Sequence, residues 1–158
     1  MTKDGLLLCF LVASLTVAGM ASADPEAGRP FSTMLSGAEE VGPGGTPGVG
    51  DPDGTGFASI TLNQGQGEIC FEITVANLVE PVTRGHIHAA PAGSNGPIVV
   101  EFVEPGETPT IFVNGIATGC APADEELIKD IRHHPENYYV NVHNVTFPAG
   151  AVRGQLEK

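Results

Sequence analysis

Phe57-Ala58-Ser59-Ile60-Thr61-Leu62-Asn63-Gln64-Gly65-Gln66-Gly67-Glu68-Ile69-Cys70-Phe71-Glu72-Ile73-Thr74-Val75 decides the fold class. Strand side chains alternate between two faces, so Ala58, Ile60 and Leu62 share one side of the first segment. Ile69, Phe71, Ile73 and Val75 likewise share one side of the second, with Glu68, Cys70, Glu72 and Thr74 opposite. Asn63 to Gly67 supplies the hairpin connection. Two half-buried strands joined this way need a further layer over their apolar face. From Phe31 onward the chain continues as short strand runs broken by Gly, Pro, Asn and Asp, the pattern of an antiparallel sandwich or barrel.

Working outward, Ile98, Val100 and Phe102 form another inward set, and Ile111 and Val113 predict a short strand ending at the turn Asn114-Gly115. One helix is expected at about 123–132. Pro122 precedes it, Asp124, Glu125 and Glu126 suit its N-terminus, Arg132 and His133 suit its C-terminus, and Pro135 stops it. Between Leu35 and Gly56 the density of Gly and Pro reads as a long surface loop. Asp51-Pro52-Asp53-Gly54 within it lacks the ligand series of a calcium loop and reads as a solvated turn.

Residues 1–23 read as a secretory signal peptide, with Lys3, an apolar run from Leu6 to Ala18 and the small-residue site Ala21-Ser22-Ala23. Residues 24–30 read as a flexible leader, and 31–158 as one domain. Cleavage leaves no stable membrane insertion and exports the chain to an oxidising compartment, where Cys70 and Cys120 are expected to form a disulfide. Cys70 leans outward, toward a covering loop that carries Cys120. The pair lacks the C-x-x-C spacing of a redox or metal motif.

A net charge of −12 argues against nucleic acid and anionic membrane as partners and is compatible with cations. No phosphate loop, Ser-His-Asp ordering or catalytic cysteine stands out, and no catalytic residue is assigned. Glu68, Glu72, Glu101 and Glu104 read as solvated carboxylates.

Three of the five histidines sit in strand-like runs: His86 and His88 in Gly85-His86-Ile87-His88, and His143 in Tyr138-Tyr139-Val140-Asn141-Val142-His143. Period-two alternation puts Arg84, His86 and His88 on one face and Tyr139, Asn141 and His143 on one face of another strand. If the two faces meet, three neutral imidazoles can hold copper or zinc and leave a coordination position open. The competing reading is a metal-free cluster hydrogen-bonded to the backbone or to Asn141 and Tyr139. Arg153 and Gln155 share the polar face of the last strand, where Arg153 is expected to pair with a carboxylate or to draw an anion to the metal. His133 and His134 read as solvated at the helix end. Asn144-Val145-Thr146 fits a glycosylation sequon.

Several of these pieces occur in one order. Leu35-Ser36-Gly37-Ala38-Glu39-Glu40-Val41, Gly56 to Leu62, Gly85-His86-Ile87-His88, Asn95 to Val100, Tyr138 to His143, and Phe147-Pro148-Ala149-Gly150-Ala151-Val152-Arg153-Gly154-Gln155-Leu156 together closely resemble the chordin-type (CHRD) domain. The resemblance implies a secreted β-sandwich module, found alone in microbial exported proteins and repeated in chordin, which binds growth factors. It departs from the family's common pattern at Ala89 and Ala151. A weaker resemblance, in site and architecture, is to copper-zinc superoxide dismutases, although the zinc-binding loop has no counterpart after His88.

The expected fold is therefore all-β, an antiparallel Greek-key β-sandwich with one short helix. The expected function is secreted or periplasmic binding of a transition metal, copper before zinc, through His86, His88 and His143, with Arg153, Asn141 and Tyr139 in support. The alternative is a metal-free extracellular module that binds a protein or polysaccharide. A third reading is a copper-only dismutase-like activity.

Overall fold

The computed structural model of the chain describes residues 30–79, 81–102 and 112–157. The signal peptide expected at 1–23 lies outside these residues, as do the leader up to residue 29, Glu104 and Ile111.

Eight strands form: β1 (Phe31–Ser36), β2 (Thr55–Asn63), β3 (Glu68–Ala76), β4 (Val82–Ala89), β5 (Ile98–Glu101), β6 (Ile116–Pro122), β7 (Tyr138–Asn144) and β8 (Val152–Gln155). They make one antiparallel sheet in the order β5-β4-β7-β8-β1-β2-β3-β6. The two layers expected of a sandwich are thus two halves of one curled sheet, continuous where Ser36 of β1 pairs with Arg153 of β8. The connections β3 to β4 and β5 to β6 each cross from one half to the other, which is Greek-key connectivity. Opposite halves meet where the rings of Phe71 and Phe102 lie 4.4 Å apart.

The opening hairpin folds as its alternation predicts. Ala58, Ile60, Leu62, Ile69, Phe71 and Ile73 are buried in the core, and Gly67 at φ 64° makes the left-handed turn between β2 and β3. Burying an Ile side chain contributes roughly 1.5–3 kcal/mol, so this face is a main source of stability. Helix α1 (Glu125–His133) begins where Asp124 accepts hydrogen bonds from the N–H of Glu126 and of Leu127, and it buries Ile128 and Ile131. Asp130 of the helix takes a hydrogen bond from the Tyr138 hydroxyl, tying α1 to β7.

Three expectations are corrected. Cys120 lies on β6, not in a covering loop. It is the direct cross-strand partner of Cys70 on β3, and the two form a disulfide. Ile98 is 41 % exposed, because it sits at the end of short edge strand β5, beyond a register shift against β4, while Val100 and Phe102 point inward. Residues 37–54 are not a plain surface loop. They make two 3-10 turns and fold back on β8, with the Asp51 N–H donating to the Ala151 carbonyl at 2.8 Å. Asp51, read from sequence as solvated, is consequently 3 % exposed. Glycine permits this close packing: a Cβ at position 37 would collide with the Asp51 backbone.

The disulfide closes a sequence separation of 50 residues. Replacing both Cys70 and Cys120 with Ser should lower unfolding free energy by about 4 kcal/mol on chain-entropy grounds. Urea unfolding of the variant against wild type measures this, and matching midpoints would show that the bridge does not limit the unfolded chain.

Candidate metal centre

Hydrogen bonding between β4 and β7 sets the site. The register pairs Arg84 with His143, His86 with Asn141 and His88 with Tyr139, so the predicted faces lie side by side in one sheet. Ile87, Val140 and Val142 point the other way, into the core. The histidines therefore sit on the outer surface of the sheet, yet His86 is 2 % and His143 8 % exposed. His88 is half-buried as a residue, but its Nε2 is out of reach of solvent.

Two of the three rings have one nitrogen held by a carbonyl acceptor. His88 Nδ1 lies 3.0 Å from the Gly96 carbonyl and His143 Nδ1 lies 3.1 Å from the Pro148 carbonyl. A carbonyl only accepts, so both Nδ1 atoms carry the proton and both Nε2 atoms are bare lone pairs. His86 Nε2 lies 3.0 Å from Glu101 Oε2, a close contact outside good hydrogen-bond alignment. Placing the proton on Nε2 toward that carboxylate leaves His86 Nδ1 bare, 3.2 Å from His143 Nε2. Two lone pairs then face one another. The other tautomer lets His86 donate to His143 but turns a lone pair on the Glu101 carboxylate.

A cation between the two nitrogens would relieve the first arrangement. Imidazole bonds of 2.0–2.1 Å at near-tetrahedral angles put two nitrogens about 3.3 Å apart, close to the observed pair. The ligating atoms of all three residues lie within 4.8 Å of one another. The donor set fits zinc or copper.

Neighbouring side chains hold these rings. The His88 ring stacks on Tyr139, 4.8 Å between centroids and 6° from parallel, and the Arg153 guanidinium lies 3.4 Å from the Tyr139 centroid. Arg153 is 2 % exposed and makes no ion pair among the described residues, which corrects the expected salt bridge. Instead it donates to Asn95 Oδ1 and to the Pro91 carbonyl, and Gln155 Nε2 donates to the Ala90 carbonyl. Arg153 thereby staples the 90–97 segment that carries the Gly96 carbonyl onto His88. Glycine is required at 96, because a Cβ there would strike the Ala89 carbonyl. Asn141 donates to Glu40 Oε2 at 3.3 Å. Elsewhere, His133 and His134 are exposed at the helix end, as expected. Asn144 of the sequon is fully buried, its Oδ1 accepting from the Phe147 N–H.

Sequence reading missed two residues of this site. Glu101 was assigned to solvent, and only the β4–β5 register places it beside His86. Glu40 was assigned to a surface loop, yet it is 2 % exposed. The one signal for Glu40 was its place in the Leu35 to Val41 motif.

Burial pushes His86 and His143 down to about 4 and lowers His88, so the three rings are neutral at ordinary pH. Burial pushes Glu40 up to about 7, against the opposing pull of Arg153 and Asn141. These groups act in opposite senses on stability. Neutral histidines stabilise the fold fully above their ordinary 6.5 and lose that contribution as pH falls toward about 4. Glu40 stabilises it below its ordinary 4.5 and loses its contribution as pH rises through about 7. Three lowered histidines outnumber the two raised carboxyls, Glu40 and the buried Asp51, so metal-free protein should gain stability from pH 4 to 6.5. Glu40→Gln should steepen the gain. Thermal melts across this range measure both slopes, and a flat profile would contradict the burial of neutral rings.

No curated protein and no solved structure matches the chain. The family comparison does: residues 31–156 match the CHRD domain, a domain of extracellular type. That span contains β1 to β8, the three histidines, Glu40, Glu101 and Arg153. The chain belongs to the CHRD domain family.

Proposed function

We propose that this CHRD-domain protein captures a transition-metal ion outside the cytoplasm, copper in preference to zinc, through His86 Nδ1, His88 Nε2 and His143 Nε2. The observation that carries the reading is the His86–His143 pair, with ring nitrogens 3.2 Å apart and the opposite nitrogens facing acceptors. Metal-binding histidines commonly have their second nitrogen held by a carboxylate or carbonyl, as His88 and His143 do, and the Glu101 carboxylate lies 3.0 Å from the second nitrogen of His86. Imidazole sites bind copper(II) more tightly than zinc in the Irving–Williams order. The signal peptide expected at 1–23 supplies the export route, and no helix among the described residues is long and apolar enough to cross a membrane.

A second reading, a metal-free module for a polysaccharide or protein, draws support from a different face. Met34 of β1, Phe57 of β2, Thr74 of β3 and Ile116 of β6 are successive cross-strand partners on the outer surface. Met34 is 70 %, Phe57 42 % and Ile116 49 % exposed. Such an apolar row fits a binding surface.

Protein prepared without a histidine tag and equilibrated with copper(II) should retain about one ion per chain after dialysis, and His86→Ala/His88→Ala/His143→Ala should retain none. Elemental analysis decides, and equal uptake by both proteins would sink the metal reading. Glu101→Gln should weaken metal affinity by roughly 10–100-fold in chelator competition, the usual cost of losing a ligand's hydrogen-bond partner. An unchanged affinity would remove Glu101 from the site. For the second reading, co-sedimentation with insoluble polysaccharides should fall in Phe57→Lys if that face binds them, and no binding by wild type would count against it.

A further inference from the structure

We infer that the metal-loaded site takes a small anion as an additional ligand, and that Arg84 holds it. The inference rests on the metal reading above and follows from charge balance around it. Three neutral imidazoles bring no negative charge to a divalent ion. Glu101 brings one, across the His86 ring. Glu40 is engaged by Asn141 and has no hydrogen bond to the three rings among the described residues. A buried divalent ion beside a further cation is thus left with uncompensated positive charge, which is costly in a site this dry.

Arg84 is that further cation. It lies directly across from His143 in the β4–β7 register and two residues before His86, so its side chain leaves the sheet on the histidine face. It is exposed. The other described cations are engaged: Lys129 with Glu126, Arg132 with the Leu62 carbonyl, and Arg153 with Asn95, Pro91 and the Tyr139 ring. Among the described residues Arg84 is the one Lys or Arg with neither an ion pair nor a hydrogen bond from its side chain. In a chain with 19 acidic and 7 basic residues, an arginine without a carboxylate partner is informative. Glu101, the acid nearest the site, is already turned to His86. An anion bound to the ion and touching Arg84 would neutralise both, a role Arg153 is too deeply buried to fill.

The fitting ligand is small, monovalent and able to coordinate through one atom. Azide is a suitable probe, because its coordination to copper(II) produces a charge-transfer absorption band that reports binding and not turnover. In copper(II)-loaded wild type, azide should bind with a saturable band. In Arg84→Gln, azide should bind about tenfold more weakly, the size expected for losing one partly screened charge-assisted contact. Arg84→Lys should recover part of the loss. Copper affinity, measured separately by chelator competition, should hold or rise in Arg84→Gln, since a repelling cation has been removed. Equal azide affinity in wild type and Arg84→Gln, with copper retained by both, overturns the role of Arg84. A copper-loaded wild type that gives no azide band overturns the anion site. Failure of wild type to retain copper overturns the metal reading itself, and with it this inference.

Discussion

The site depends on the hydrogen-bonded register between β4 and β7. Shifting one strand by a single residue would turn His143 and Asn141 into the core and Val142 and Val140 onto the surface. That exchange is forbidden by the apolar face, where Ile87, Val140 and Val142 are fully buried. Packing on one side of the sheet thus fixes the placement of the imidazoles on the other. The polar geometry is as rigid as the core because the same backbone carries both.

A ligand cluster on the outside of a sheet would ordinarily be wet. Here segments 37–54, 90–97 and 145–150 close over it, and each arrives by a specific contact. Pro148 brings its carbonyl to His143 and Gly96 brings its carbonyl to His88. Asn95 donates to the Val41 carbonyl at 2.6 Å, joining two of the covers to each other. Gly150 lets the third cover pass over Glu40, since a Cβ there would collide with the carboxylate. Dehydration keeps the rings neutral, and it also makes any unbalanced charge expensive.

Charge is distributed unevenly as a result. The molecule is strongly acidic, which favours approach of cations from solution. Close to the three rings the charges are more evenly matched, with Arg84 and Arg153 near Glu101 and the buried Glu40. Arg153 is spent on structure, stacked on Tyr139 and bonded to the 90–97 segment, while Arg84 remains in solvent. Two arginines on the strands that flank β7 thus have different physical roles because one is buried and the other is not.

The sequence by itself determined the β2–β3 hairpin, the helix with its Asp124 cap, the faces on which His86, His88 and His143 lie, and the family. These are local properties: alternation, capping and turn chemistry act over a few residues and are written in consecutive positions. The sequence left open whether the three histidines meet. Only the tertiary structure decided that, by placing β4 beside β7 although their histidines are 57 residues apart. It also moved Cys120 onto a strand, drew Glu40 and Asp51 out of solvent, replaced Arg153's expected salt bridge with a stack on Tyr139, and brought Glu101 to His86. Each of these depends on contacts between distant segments, where strand order and close backbone approach, not neighbouring residues, set what a side chain touches.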